Sequence, residues 1–322
     1  MKNTTIVSII MGIAVLGSTV CSAQTFPSKP IRIIVGFPPG GGADAVPRLI
    51  APALGQSLGQ PVVIDNRPGA SGNIGAELAA RAAPDGYTLL NVPITHAINV
   101  SLFPKMTYDP VADFAPVTIN TSSVNILVVH PSLPVKNVKE LVALARARPG
   151  QITFGSGSVG TTHHLGGELF KSLAKVDMLH VPFKGGGPAI TNLLGGHVQV
   201  MFASTPEVRG HIQDGRLRAL GVTSSHRWPL LPELPTIAES GVPGFEITGW
   251  LALLAPAATP KDIVARLNTE VVRILQAQDV KAKINTLGFV PVANTPEEAA
   301  THIKNEIAKW ATIIKASGAK SD

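Results

Sequence analysis

Four glycine-rich segments in this chain each stand between an apolar run and a helical pattern. They are Pro38-Pro39-Gly40-Gly41-Gly42-Ala43-Asp44, Pro68-Gly69-Ala70-Ser71-Gly72-Asn73-Ile74-Gly75, Gly155-Ser156-Gly157-Ser158-Val159-Gly160-Thr161-Thr162 and Lys184-Gly185-Gly186-Gly187-Pro188. Glycine lets backbone N–H groups come close to a bound anion. The first turn of a helix adds N–H groups without intrahelical acceptors and a partial positive charge. One such start contributes roughly 0.3–1 kcal/mol, about 2 when partly buried. Two opposed starts with several N–H bonds reach a micromolar site, on the order of −8 kcal/mol. A tight strand-to-helix turn with no ligand explains one loop of this kind; four in equivalent places argue for a site.

On this reading Gly40, Gly41 and Gly42 offer backbone donors. Ser156, Ser158, Thr161 and Thr162 offer hydroxyls around a carboxylate, unless they only cap their helix. Asp44 either partners the helix dipole or accepts a hydrogen bond from a ligand hydroxyl or amine. Thr95 and His96 follow the third strand of one unit and Ser204 that of the other, at the rim of the same site or as solvated loop residues. Gly185 opens the fourth loop. Lys184, Arg67, His163 and His164 either favour a second acidic group or do not reach the ligand. The adjacent histidines point about 100° apart on a helix and do not share a metal. No metal and no cofactor is expected. Gly155-Ser-Gly-Ser-Val-Gly160 matches a dinucleotide fingerprint, but Asp177, the acid about 20 residues on, precedes the next strand instead of ending it. Gly69-Ala-Ser-Gly-Asn73 fails a nucleophile elbow at its last position.

The elements that must hold these loops form a βαβαβ pattern written twice. Its strands are 31–37, 61–67 and 87–91, then 151–154, 178–183 and 198–202, with the first loops 115 positions apart and the second 117. The fold expected is α/β and two-lobed. Glycine loops at the carboxyl ends of the strands line a cleft between the lobes. Short strands at 117–120 and 126–129 and an apolar stretch at 246–254 carry the chain between lobes near residues 120 and 248, a hinge pair. The lobes are thus 24–120 with 248–322, and 121–247. Trp250 either floors the pocket or belongs to the hinge core. Two helices, opening at Thr259 and at the capping box Thr295-Pro-Glu-Glu298, finish the chain.

Residues 1–23 read as a secretory signal: Lys2, an apolar run from Ile6 to Leu16, and small residues up to a cut after Ala23. Lipidation at Cys21 is the rival reading, disfavoured by the bulk of Val20. The cut leaves 299 of the 322 residues and removes the only cysteine, so no disulfide is expected. No other segment approaches the length of a membrane span. The net charge of +6 is scattered without basic runs, and aromatics are 5%, which argues against nucleic acid.

Segments along nearly the whole mature chain resemble the periplasmic substrate-binding proteins of tripartite tricarboxylate transporters, the Bug-type receptors. They include Pro27-Ser-Lys-Pro-Ile-Arg-Ile-Ile-Val-Gly-Phe-Pro-Pro-Gly-Gly-Gly-Ala-Asp44, Asp65-Asn-Arg-Pro-Gly-Ala-Ser-Gly-Asn-Ile-Gly75, Pro84-Asp-Gly-Tyr-Thr-Leu-Leu90 and His180-Val-Pro-Phe-Lys-Gly-Gly-Gly-Pro-Ala189. The resemblance implies a type II periplasmic-binding-protein fold in the periplasm. It implies closure around a small organic acid and delivery to integral-membrane transporter subunits, with the receptor a monomer and not an enzyme. It places one ligand carboxylate between the loops 37–44 and 156–163, which adds Phe37, Pro39 and His163 to the candidates. The chain departs from the family's usual pattern at His163-His164, where Ser-His is frequent, and at Thr205-Pro-Glu-Val-Arg209. A sensor docking on a membrane histidine kinase and an exported hydrolase remain alternatives.

Overall fold

The computed structural model describes residues 26–103 and 105–317. The expected signal segment, its cut after Ala23 and Cys21 lie outside the described residues. The first unit runs β1 (Ile31–Val35), α1 (Gly42–Leu58), β2 (Val62–Asn66), a 3-10 turn (Ala70–Gly72), α2 (Asn73–Ala80), β3 (Thr88–Pro93) and α3 (Thr95–Leu102). β4 (Phe114–Val129) and α4 (Val138–Ala147) lead to the second unit. This comprises β5 (Thr153–Ser156), α5 (Thr162–Ala174), β6 (Leu179–Pro182), α6 (Gly186–Leu194), β7 (Val200–Ser204), α7 (Thr205–Gln213) and β8 (Arg218–Val222). β9 (Thr248–Pro256), α8 (Lys261–Gln276), α9 (Gln278–Thr286), β10 (Phe289–Pro291) and α10 (Pro296–Ser317) follow.

Each unit builds the parallel part of a lobe. β1 pairs in parallel with β2 and β3, and β5 with β6 and β7. β1 is buried at every residue except Arg32, as a strand covered by helices on both faces must be. Helix α8 buries Val264, Leu267, Val271 and Ile274 at three- and four-residue spacing, one apolar stripe against the sheet.

The lobes are joined through β4. A single 16-residue strand replaces the two short ones expected at 117–120 and 126–129. Nothing between them breaks a strand: Thr121-Ser-Ser-Val-Asn125 holds neither glycine nor proline. From Phe114 to Val124 the strand pairs with β9; from Asn125 to Val129 it pairs with β7, and from Ile126 with β8. The partner change at Val124/Asn125 is the first passage between sheets. The chain returns between β8 and β9, where Ile247 N–H donates to Thr223 O at 2.8 Å. The three-residue β10 pairs with β4 at Thr121–Ser123, on the edge opposite β9. Phe289 packs on the first-lobe core and Val290 on the second-lobe core, so β10 is a further link that the sequence reading passed over, with α9 before it.

Trp250, left open between pocket floor and hinge core, is hinge core: it is 2% exposed. Its Nε1–H donates to Glu306 Oε2 at 3.1 Å, and Trp310 Nε1–H donates to the same oxygen at 3.1 Å. Lys309 ties Glu306 to Glu246, which lies just before β9. Helix α10 is thereby fastened to the returning strand by one buried carboxylate shared between two indoles. Glu306→Ala leaves both indole N–H groups without that acceptor. A loss of about 2–6 kcal/mol in unfolding free energy is expected from urea denaturation, at about 1–3 kcal/mol per stranded donor. A loss under about 0.5 kcal/mol, the size of an ordinary surface change, contradicts this account of the clamp.

Candidate functional site

The first loop is organised from beneath by Asp44. This carboxylate is 2% exposed. It accepts from Gly40 N–H at 3.0 Å, from Arg48 Nε at 2.9 Å and from Asn66 Nδ2 at 2.8 Å. Burial alone would raise its pKa; the bonds from Arg48, Asn66 and Gly40 outweigh that and hold it below the ordinary carboxylate range. Asn66 Nδ2 also donates to Phe37 O at 2.9 Å, so β2 clamps both ends of the loop. Of the two roles open to Asp44, the structure gives it the one inside the protein.

The first turn of α1 is anchored by a chain of amides. Pro47 has no N–H, so the carbonyl of Ala43 lacks its helical donor. Asn91 Nδ2 on β3 supplies that bond at 2.9 Å, and Asn120 Nδ2 on β4 donates to Asn91 Oδ1 at 2.9 Å. The helix start is thus tied to the crossover strand.

Around this start, the glycines differ in kind. A Cβ at Gly42 would stand 2.4 Å from Phe289 Cζ, whereas one at Gly40 or Gly41 would meet nothing within 4 Å. Gly42 is required for packing; Gly40, at φ +99°, is required for the turn; Gly41, at φ −81°, is required for neither. Pro39, Gly40 and Gly41 are exposed. The second loop carries four successive positive φ values, +137° at Gly69, +47° at Ala70, +53° at Ser71 and +96° at Gly72. It lies so close to the first that a Cβ at Gly36 would stand 2.7 Å from Gly72 Cα. Phe37 and Thr95 line a cavity of about 10 Å³ behind these loops, room for about one water.

His96 is not a rim residue. It is 3% exposed, its Nε2 lies 3.0 Å from Pro110 O, and it sits between Tyr108 and Phe114. The reason is that α3 begins at Thr95, which turns position 96 inward.

In the second lobe, Ser156 is likewise internal at 0% exposed. Its hydroxyl donates to Ser158 O at 3.1 Å and accepts from His180 Nε2 at 2.7 Å, the direction the hydroxyl's own donation requires. His180 stacks on His164 with centroids 4.0 Å apart and on Phe154 at 4.9 Å. Burial lowers both imidazole pKa values, His180 to about 4, so both are neutral at pH 7. His164 Nδ1 accepts from Gly160 N–H at 3.1 Å and holds the loop from within. Thr161 caps α5: Oγ1 accepts from His164 N–H and donates to Ser158 O at 2.8 Å. Ser158 is exposed and Thr162 opens the helix.

The third and fourth loops touch. Gly185 N–H donates to Gly157 O at 2.7 Å, and a Cβ at Gly157 would stand 2.9 Å from Gly186 N. Lys184 is exposed and in no ion pair among the described residues. Ser204 opens α7 and donates through its N–H and hydroxyl to Glu207 Oε2. Glu207 also lies 3.6 Å from His163 Nε2. It went unrecognised in the sequence, although Ser204-Thr-Pro-Glu207 has capping-box spacing. Phe289 left no local signal at all.

Contacts between lobes bring the helix starts together. Gly288, beside Phe289, would place a Cβ 2.9 Å from Pro206 Cγ on α7, and Gly160 would place one 2.6 Å from Leu102 Cδ1 on α3. The turn 288–289 therefore sits between the starts of α1 and α7. Along the crossover strand, Asn120 Oδ1, Thr121 Oγ1 and Asn125 Nδ2 are buried without a partner among the described residues, as is His163 Nδ1. No group of three or more His, Cys, Asp or Glu suited to a metal occurs among the described residues.

Two measurements check this description. His96 falls to a pKa of about 4 from 6.5 because it is buried. The unfolded chain thus takes up a proton below pH 6.5 that the folded chain refuses. Stability is full above that pH and erodes as pH drops towards 4. Between pH 7 and about 4.5, His96 accounts for about 2–3 kcal/mol, so His96→Gln should flatten the pH profile by that amount in urea titrations. Equal slopes for both proteins refute the assignment. Separately, Gly42→Val should lower unfolding free energy by about 1–3 kcal/mol through its clash with Phe289, while Gly41→Val changes it by under about 1 kcal/mol. Equal losses would contradict the distinction.

The receptor family model of the tripartite tricarboxylate transporters matches residues 46–319. Protein BugT of Bordetella pertussis is 40% identical over 303 residues, covering 93% of this chain and 92% of that protein. The solved structure of R. palustris Rpa4515 with adipate has a TM-score of 0.80 and 38% identity, covering 92% of this chain and 99% of that one. MatC of Rhodopseudomonas palustris with bound malate has a TM-score of 0.75 and 34% identity, covering 90% and 100%. With its two α/β lobes and these matches along nearly its whole length, the chain belongs to the tripartite tricarboxylate transporter family of receptors.

Proposed function

We propose that this receptor is exported to the periplasm by residues 1–23, closes as a monomer around a small organic acid, and delivers it to the membrane subunits of a tripartite tricarboxylate-type transporter. Its lobes are residues 24–120 with 248–322, and 121–247, and they move about the β4 and β9 passages. The acid's carboxylate is held by backbone N–H groups at the start of α1, around Gly41 and Gly42 and not at Gly40, whose N–H is given to Asp44, and by the start of α5 around Ser158–His163. Lys184, Gly185 and Ser204 stand at the neighbouring loops.

The observation that carries this reading is the start of α1. Its first N–H groups have no intrahelical acceptors, its loop is held from below by Asp44, and the space above Gly40 and Gly41 is open. A helix start of this kind favours an anion. Relatives solved with adipate and with malate are in keeping with a carboxylate ligand. Membrane crossing is left to other subunits, since no helix among the described residues is long and apolar enough for it.

A thermal-shift screen of mono-, di- and tricarboxylates against residues 24–322 should find at least one stabiliser, because a ligand of the native state raises the melting temperature. Gly41→Val should weaken that ligand by more than tenfold while melting of the unliganded protein stays nearly unchanged. Unaltered affinity in this variant, or stabilisation only by neutral compounds, overturns the anion-binding role of the loop.

A further inference from the structure

We propose that Glu207, with His163 beside it, sets which acids this receptor accepts: it favours a carboxylate ligand that also carries a hydrogen-bond donor, an ammonium or hydroxyl group, and disfavours a second carboxylate at that end. This rests on the receptor reading and narrows its ligand class.

Side chains from two helix starts of the second lobe meet here. His163 stands in the first turn of α5 and Glu207 in the first turn of α7, with Nε2 and Oε2 3.6 Å apart. The fourth loop closes in as well, because a Cβ at Gly186 would lie against the Glu207 carboxylate. The starts of α5, α6 and α7 thus converge on one acidic group whose side chain is 32% exposed. On the far side, Pro206 abuts the 288–289 turn that touches the α1 loop, so the starts of α7 and α1 stand on either side of that turn.

This carboxylate has no cationic partner. His163 is its one ion-pair neighbour within 4 Å among the described residues, and burial lowers the His163 pKa, so the ring is neutral at pH 7. With Nε2–H turned to the carboxylate, the buried Nδ1 is left as an acceptor. Glu168 on α5 pairs with Lys171 and approaches His164 instead. Lys184 and Arg209, the nearest cations in sequence to these loops, are exposed and in no ion pair among the described residues. Ser204 satisfies part of Glu207 by donating to Oε2 and leaves Oε1 for another donor. An exposed carboxylate of this kind binds a donor and repels a second anion. That is the reverse of the cationic lining suited to a diacid.

The test is calorimetric titration of residues 24–322, wild type and Glu207→Gln, with two matched series. One is butanoate, 4-hydroxybutanoate, 4-aminobutanoate and succinate; the other is hexanoate, 6-hydroxyhexanoate, 6-aminohexanoate and adipate. The wild type should bind the amino or hydroxy acid at least tenfold tighter than the diacid of the same length in one series or both. A preference for the amino acid identifies charge pairing, and equal preference identifies hydrogen bonding alone; either supports the proposal. Glu207→Gln should narrow that gap at least fivefold, mainly by tighter diacid binding. Diacids that bind as well as or better than the donor-bearing acids, or a preference unaltered by Glu207→Gln, overturn this inference and leave the receptor reading standing. Failure of every acid to bind overturns both. Where the variant does not fold, the wild-type series decides.

Discussion

The Asp44 carboxylate lies beneath the first glycine loop and holds it in shape. Gly40 turns its N–H inward to this carboxylate, which also accepts from Arg48 and Asn66. Asn66 in turn holds Phe37 O, and Asn91 occupies the carbonyl that Pro47 leaves bare. These bonds hold the start of α1 from within, while the first N–H groups of the helix have no intrahelical acceptors.

The second lobe solves the same problem without a buried charge. His164 accepts from Gly160, Thr161 caps α5, and Ser156 joins His180 to the loop carbonyl of Ser158. The stacked imidazoles are neutral because burial disfavours the cation, and a neutral ring is both donor and acceptor. An electrically quiet support leaves Glu207 as the charge that distinguishes this wall. The acid sits where three helix starts favour it, which explains how it persists there without a lysine or arginine beside it.

Between the lobes, β4 is shared by both sheets, with β9 along one edge and β10 along the other. Helix α10 covers this junction through the indole–carboxylate–indole contact at Glu306. The buried apolar cluster is continuous from Ile34 and Leu90 through Trp250 and Trp310 to Phe154 and Phe202. The core therefore runs without a break from one lobe to the other beneath α10.

Local pattern determined the doubled βαβαβ units, the glycine-opened helices and the two C-terminal helices, because strand alternation, capping residues and glycine act over a few neighbours. The same pattern marked α1, α2, α5 and α6 as helix starts, and passed over α7. It did not decide which way a side chain turns at a loop. His96 was placed at the rim by its position after a strand, and Ser156 was read as a hydroxyl donor to the ligand. Packing against Tyr108 and Phe114, and against His180, took them inside. The contact of Phe289 with Gly42, the joining of His163 to Glu207, and the single long β4 with β10 at its edge all pair residues far apart in the chain. Such pairings depend on how whole layers stack, and only the tertiary structure decided them.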